Sequence, residues 1–200
     1  MSRPRRVDTL GETRIFLDFE SDQPFVVPPG VDYVFIVAAA TNYGRGETNP
    51  TPVRINLECI PRFVEQVLDQ GIFVAFLSTN SVFGGELPWP HEDEPHAPRI
   101  AYAKHKSDGE ERITSSAERL GALDRLAVIR LTKVLGHQTP PLPTWFDAWH
   151  RSEVVTPFVD FFFAPMSVRF VGEALATIGE KRACGSMHLS GAENLSYFDF

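Results

Sequence analysis

The chain has 200 residues, of which 43% are hydrophobic, 22% charged and 12% aromatic, and its formal net charge is −7. This length corresponds to one domain, and the composition excludes a disordered, collagen-like or coiled-coil protein. The acidic balance argues against a nucleic-acid binder, and no apolar run reaches the roughly 20 residues that a membrane span needs. Cys59 and Cys184 have neither paired nor metal-type spacing, so we expect two buried thiols in a reducing cytoplasm and no metal site.

Short apolar runs alternate with helical stretches along the first two thirds of the chain. Strands are predicted at four places, namely residues 14–17, 31–40, 72–77 and 125–131. Apolar residues at helical spacing predict two helices between the later strands, at residues 53–70 and 100–120. This alternation is typical of an α/β fold with a parallel sheet and right-handed crossovers. From residue 132 the sequence is rich in proline and tryptophan, which predicts a small cap over 132–200 beside a sheet domain over 1–131.

Some aromatic and polar segments have a structural interpretation that we prefer to a ligand site. The run FVDFFF at residues 158–163 predicts a buried strand of the cap, and the three tryptophans, Trp89, Trp145 and Trp149, predict core or cap packing. The segment HEDEPH at residues 91–96 mixes hard and soft metal ligands without the spacing of a metal site. We therefore expect a solvated loop there.

A tyrosine and a lysine lie four residues apart in the second predicted helix. Tyr102 and Lys106 share one helix face, one turn apart. An ammonium beside a phenol lowers the pKa of the phenol, which lets a tyrosine exchange protons with a carbonyl or carbinol near neutral pH. Many helices contain this spacing by chance, so it needs support from other segments.

That support comes from the segment STNSVF at residues 78–83, which follows a predicted buried strand. Ligands of open parallel sheets bind outside the carboxyl ends of the strands. Three segments are expected to converge there: residues 38–41, residues 78–83 and the residues after Arg130. A hydroxyl of the second segment can hydrogen-bond the same substrate oxygen that Tyr102 protonates.

Together these motifs resemble the extended short-chain dehydrogenase/reductase superfamily, and more closely its dTDP-4-dehydrorhamnose reductase branch of sugar-nucleotide-binding reductases. The similarity extends over nearly the whole chain. It is carried by Asn56 and by seven segments: LDFE at 17–20, VDYVFIVAAAT at 31–41, FLSTNSVFGG at 76–85, YAKHK at 102–106, VIRLTKVL at 128–135, PFVDFFFAP at 157–165 and MHLSGAENLSY at 187–197.

The resemblance implies a Rossmann-like sheet with a substrate cap, and a role for individual residues. Tyr102 would be the proton donor or acceptor, Lys106 would hold the nicotinamide ribose, and Thr79 would orient the substrate carbonyl, with Asn80 and Ser81 beside it. The remaining implied cofactor contacts are Asp18 and Phe19 at the adenine, Ala38, Ala39 and Ala40 along the dinucleotide, Asn56 in support of the active-site helix, and residues 131–134 beside the nicotinamide. The implied reaction is hydride transfer between NAD or NADP and a nucleotide sugar, in polysaccharide biosynthesis.

One feature of the resembled family has no counterpart in this sequence. The family holds the cofactor pyrophosphate at a Gly-rich turn after its first strand, and no such turn is found near the start of this chain. Residues 1–20 resemble the third strand and its approach, so we expect the first βαβ unit and the C-terminal end to be missing. NAD(P) binding would then be impaired.

Three hypotheses about function stay open. The first is an NAD(P)-dependent reductase or epimerase of nucleotide sugars in the cytoplasm. The second is a non-catalytic sugar-nucleotide-binding or regulatory module, and the third is an inactive truncated product of a longer reductase gene. The sequence does not separate NAD from NADP or identify the sugar. A sheet edge left open by missing strands would invite association into a homo-oligomer.

Overall fold

The computed structural model describes residues 17–19, 23–40, 51–86 and 89–200. Strands and helices alternate through most of this part of the chain. In chain order the elements are β1 (Tyr33–Ile36), α1 (Thr51–Arg54), a π-helical segment (Ile55–Cys59), α2 (Ile60–Asp69), β2 (Phe73–Thr79), a 3₁₀ turn (Asn80–Val82), α3 (Ala101–Arg119), a 3₁₀ turn (Leu123–Arg125), β3 (Leu126–Leu131), β4 (Lys133–Leu135), α4 (Leu142–His150), β5 (Phe162–Phe163), β6 (Pro165–Ser167), α5 (Val168–Lys181), β7 (Gly185–Leu189) and β8 (Leu195–Ser196).

Four strands form the main sheet in the order β1-β2-β3-β7, and every neighbouring pair is parallel. All four carboxyl ends therefore meet at one edge. The register places Ser78, Arg130 and His188 side by side across β2, β3 and β7, close to that edge. The predicted α/β architecture with a Rossmann-like parallel sheet is confirmed.

Alternating side chains of the central strands build two apolar layers. On one face Val74, Phe76 and Val128 pack against α2 and α3. On the other face Phe73, Ala75 and Ile129 pack against α5. Every residue of β2 is buried, as expected for a strand covered on both faces by helices.

The first strand is shorter and more exposed than its sequence predicts. The run at residues 31–40 forms a ladder only over β1, and Val37 is 68% exposed. The reason is that β1 pairs only with β2 among the described residues. The strand predicted at 14–17 lies outside the described residues except for Leu17, which is not in a strand.

The aromatic run at residues 158–163 is not the buried strand that its sequence predicts. Within this run only Phe162 and Phe163 form a strand, β5, which pairs antiparallel with the two residues of β8. Phe163 is buried beneath Tyr197, whereas Phe158, Phe161 and Phe162 are exposed.

The burial expected of the cysteines is wrong for one of them. Cys59 is buried as expected, but Cys184 is exposed, because it lies in the short connection between α5 and β7.

Core or cap packing is predicted for the tryptophans. Trp89 is 70% exposed and Trp149 is also exposed, so neither is a core residue, but Trp149 packs against Trp145 and Phe146 within the predicted cap. Trp145 is half-buried and packs its ring against Tyr197, with 6.0 Å between the ring centroids.

The region after residue 131 supplies small elements and also one strand of the main sheet. A parallel pair joins β4 to β6, and β7 pairs with β3. The predicted cap over 132–200 would thus contain β7, a strand of the main sheet. The division of the chain into 1–131 and 132–200 stays a prediction. No helix in the described part of the chain is both long and apolar enough to span a membrane.

Candidate active site

Helix α3 positions the predicted tyrosine and lysine on its first two turns. Tyr102 is half-buried, whereas Lys106 is 5% exposed. The Nζ atom of Lys106 donates a hydrogen bond of 2.6 Å to the carbonyl oxygen of Leu77 and lies 4.5 Å from the ring centroid of Phe76. Lys106 therefore fastens the start of α3 to β2.

Burial lowers the pKa of Lys106 to about 8, and the negative charge of Glu110 opposes this shift. Taking an ammonium out of water disfavours its charged form. The carboxylate one turn further along α3 and the carbonyl of Leu77 are the groups that favour the charged form here. Lys106 is thus a cation near neutral pH that loses its proton more readily than a lysine in water.

Strand β2 ends at Thr79, which is buried at the carboxyl edge of the sheet. Its Oγ1 atom accepts a hydrogen bond from the backbone N–H of Ser81 at 3.2 Å and lies 3.2 Å from the Ser81 hydroxyl. Thr79 thereby caps the 3₁₀ turn that follows the strand. Asn80 is exposed and Ser81 is half-buried, so three polar side chains lie together at this strand end.

Asn56 is buried in the π-helical segment and holds the chain that leaves β1. Its Oδ1 accepts from the N–H of Ala40 at 2.9 Å, and its Nδ2 donates to the carbonyl of Ala40 at 2.8 Å. Ala38 is exposed, while Ala39 and Ala40 are half-buried. Three side chains that end at Cβ therefore follow β1 at its carboxyl end.

Asp18 and Phe19 lie beside α2, where they line a cavity of about 190 Å³. The ring of Phe19 meets Phe63 edge-on at 5.3 Å, and Arg62 donates to the carbonyl of Phe19. This cavity also includes Cys59. It shares no lining residue with the larger cleft at the sheet edge.

The carboxyl-edge cleft has a volume of about 550 Å³ and mixes polar with aromatic walls. Its lining residues include Asn80, Phe83, Trp89, Arg130, His188 and Ser190. Asn80 is the one predicted substrate contact among the described lining residues, which do not include Thr79, Tyr102 or Lys106. Of the predicted polar residues, Asn80 lies in this cleft and Thr79 directly precedes it, whereas Asp18 lines the separate cavity beside α2.

An ion pair that the sequence analysis did not assign lies beneath the cleft. Arg130 donates from Nε and Nη2 to Oε2 of Glu110 at 3.0 and 2.9 Å. Its remaining Nη1 donates to the carbonyl of Glu92 at 2.8 Å. The sequence contained a usable signal, because Glu110 continues the helix face of Tyr102 and Lys106 at the same four-residue spacing.

Two histidines flank the same region, and each makes an edge-on contact with the ring of Phe83. His96 lies on the segment before α3 and His188 on β7. Burial lowers the pKa of both imidazoles. The negative charge of Glu110 near His96, and that of Glu92 near His188, oppose this shift. Both rings are therefore neutral more often at neutral pH than exposed imidazoles.

Some of the described residues are of the types expected to hold a nicotinamide dinucleotide. The small residues Ala38–Ala40 follow β1, and Lys106 bonds to Leu77 near the end of the adjoining strand β2. Asp18 lies exposed at the small cavity, where an adenine contact is expected. A glycine turn suited to the pyrophosphate is not present among the described residues.

A parallel sheet with helices on both faces and polar side chains at its strand ends defines a Rossmann-like α/β protein. The family model for the RmlD substrate binding domain matches residues 18–200. The chain belongs to this family, which confirms its resemblance to the dTDP-4-dehydrorhamnose reductases. The comparison with curated proteins gives no match.

Solved structures of this class share the fold at low sequence identity. A dTDP-4-dehydrorhamnose reductase of Clostridium acetobutylicum is 20% identical, with a TM-score of 0.73 over 84% of this chain and 59% of that one. The Bacillus anthracis enzyme, solved with NADP, is 19% identical with the same TM-score and coverage. A UDP-glucuronic acid 4-epimerase of Bacillus cereus, solved with UDP-glucuronic acid and NAD, is 20% identical, with a TM-score of 0.69 over 84% of this chain and 56% of that one. The chain thus spans less than two thirds of the length of these structures.

Proposed function

We propose that this chain carries the catalytic part of an NAD(P)-dependent reductase or epimerase that acts on a nucleotide sugar. The observation that carries the proposal is the bond from Lys106 to Leu77. It joins the helix turn that bears Tyr102 to the strand end that bears Thr79. The family, and the NADP, NAD and UDP-sugar complexes of similar structures, support the same class of reaction.

Tyr102 acts in this proposal as the group that gives a proton to the carbonyl oxygen of the sugar, or removes one from the carbinol. The ammonium of Lys106, one turn away, stabilises the phenolate that forms. Thr79 and Ser81 bring two hydroxyls to the adjoining strand end, where they orient the carbonyl by hydrogen bonds. A bound NAD or NADP would supply or accept the hydride, held by Lys106, by the small residues 38–40 and, at the adenine, by Asp18 and Phe19.

The carboxyl-edge cleft is the part of the molecule that suits the sugar nucleotide. Its volume and its mixture of aromatic and polar walls are typical of small-molecule sites. Asn80, Ser190 and His188 offer hydrogen-bonding groups, while Phe83 and Trp89 offer flat apolar surface. Substrate placed here would reach the strand end at Thr79, because Asn80 follows it directly.

The test is turnover by the wild-type chain and by Tyr102→Phe, with Tyr33→Phe as the matched control. Tyr33 begins β1 at the opposite edge of the sheet. Oxidation of NADPH or NADH is followed with a 4-keto dTDP-sugar as substrate. We expect Tyr102→Phe to lower turnover by about 10²-fold or more, as loss of a general acid does, while Tyr33→Phe keeps wild-type turnover. Equal rates for the wild type and Tyr102→Phe would contradict the proposed role.

A non-catalytic sugar-nucleotide-binding module is the second candidate. It is favoured because the described residues contain no glycine turn suited to the pyrophosphate and because the hydroxyl of Thr79 already has a partner in Ser81. Calorimetry separates the two candidates. Binding of UDP-glucose without NAD(P)H oxidation and without epimerisation of the sugar supports the module, whereas turnover that depends on Tyr102 excludes it.

A further inference from the structure

The ion pair between Glu110 and Arg130 is almost completely removed from solvent. The two side chains are 4% and 6% exposed. Both bonds from Arg130 reach the same carboxylate oxygen, and Oε1 of Glu110 is buried without a hydrogen-bond partner. Taking two charges out of water costs free energy that their attraction often fails to recover, so such a pair adds little stability over apolar side chains of similar size.

The pair joins the catalytic helix to the strand ends. Glu110 follows Tyr102 and Lys106 on one face of α3, while Arg130 lies beside Ser78, one residue before Thr79.

Arg130 also reaches the segment that forms one wall of the cleft. We call residues 89–97 the wall segment; Trp89 and Pro90 line the cleft. The carbonyl of Glu92 accepts from Arg130, and Nδ1 of His96 lies 2.8 Å from Oγ of Ser107 on α3. The N–H of Ala97 donates to the carbonyl of Val82. The wall segment is therefore held from β3, from α3 and from the turn after β2.

We propose that Arg130, paired with Glu110, is a positioning residue that couples the wall segment of the cleft to the helix bearing Tyr102 and Lys106. The guanidinium bonds to both, in addition to the direct contact between His96 and Ser107. It fixes the cleft wall and the proton-transferring helix in a single geometry. The guanidinium also packs on the ring of Phe83, whose centroid lies 5.2 Å from its Cζ. The inference rests on the proposed function for the identity of the bound ligand, but not for the coupling itself.

Three variants of the full chain test the coupling. Arg130→Lys keeps the positive charge but loses the forked geometry that reaches two partners. The double variant Glu110→Met with Arg130→Met replaces the pair by apolar side chains and avoids an unpaired buried charge, so it is expected to fold. Arg119→Lys is the matched control. Arg119 lies on α3, as Glu110 does, and it forms an exposed ion pair with Glu65 of α2.

Hydrogen exchange and ligand binding are measured on each variant. We expect exchange in residues 91–97 to accelerate at least tenfold in Arg130→Lys and in the double variant, with no change in β2. We also expect the Kd for UDP-glucose to rise about tenfold, and Arg119→Lys to match the wild type in both measurements.

Two outcomes overturn the proposal. One is wild-type exchange of the wall segment in the double variant, and the other is an equal acceleration in β2, which would reduce the pair to a stabilising contact. A wild-type chain that binds no UDP-glucose would contradict the proposed function instead, and exchange would then decide the coupling alone.

Discussion

The Nζ atom of Lys106 donates a hydrogen bond of 2.6 Å to the carbonyl oxygen of Leu77. This contact spans the interface between α3 and the central strand β2, in a place where Lys106 is only 5% exposed. In place of hydrogen bonds to water, the ammonium has one carbonyl, the face of the Phe76 ring and the attraction of the Glu110 carboxylate. That incomplete compensation has a measurable consequence for stability.

Wild-type stability is expected to rise between about pH 8 and pH 10.5 through Lys106. The folded chain releases this proton near pH 8, whereas the unfolded chain keeps it up to the ordinary lysine pKa of 10.5. The unfolded state therefore binds more protons in this window, so the free energy of unfolding increases with pH, by roughly 3 kcal/mol in all. Below pH 8 both states are protonated and the burial penalty is complete.

The measurement is urea unfolding of the wild type and Lys106→Met across pH 7 to 11. The difference between the two proteins isolates this lysine from other groups that titrate at high pH. Lys106→Met is expected to be the more stable of the two at pH 7, with an advantage that shrinks above pH 8. A difference that stays constant over the whole range would show that the Lys106 pKa is not lowered.

Asn56→Ala is expected to lower the free energy of unfolding by about 2 kcal/mol. Both hydrogen bonds of the amide to Ala40 are lost, and the backbone groups of Ala40 are left half-buried without these partners. Thermal unfolding measures the change, and Asn194→Ala, at an exposed position, serves as the control. An Asn56→Ala variant as stable as the control would mean that water replaces the amide at Ala40.

The sequence predicts the fold and the location of the candidate site because their signals are local. Continuous apolar runs indicate the strands that helices cover on both faces, and the four-residue spacing of Tyr102 and Lys106 is a property of one helix. Contacts that depend on distant segments leave no such signal. Arg130 is 20 residues from Glu110 and 38 from Glu92, so their meeting follows only from the packing of α3 on the sheet.

Burial of the aromatic residues is the property that sequence predicts least well here. The run at residues 158–163 is as apolar as a core strand, yet its exposure depends on whether another layer covers it. Tyr197 contacts both Phe161 and Phe163, but of the two only Phe163, which also meets Phe200, is buried. Similarly, the apolar run at residues 31–40 forms a strand only where β2 pairs with it.

Two glycines of α5 are expected to respond differently to alanine. Gly172 has open space where a Cβ would lie, so Gly172→Ala should stabilise the protein by about 1 kcal/mol through helix propensity. A Cβ on Gly179 would lie 2.9 Å from Cζ of Phe35 and 3.1 Å from the ring of Tyr33. Since those rings must shift, Gly179→Ala should unfold at a lower temperature than Gly172→Ala. Equal melting temperatures would indicate that β1 moves freely away from α5.

Phe163→Ala and Phe162→Ala are expected to separate the buried side of the aromatic run from its exposed side. Phe163 is 8% exposed, and its ring centroid lies 4.4 Å from that of Tyr197. Truncation there leaves a cavity and should cost about 3–5 kcal/mol. Phe162 is 57% exposed, so Phe162→Ala should cost less than about 1 kcal/mol. Both free-energy changes are measured by denaturant unfolding. Similar losses for the two variants would show that other residues cover Phe162 in solution.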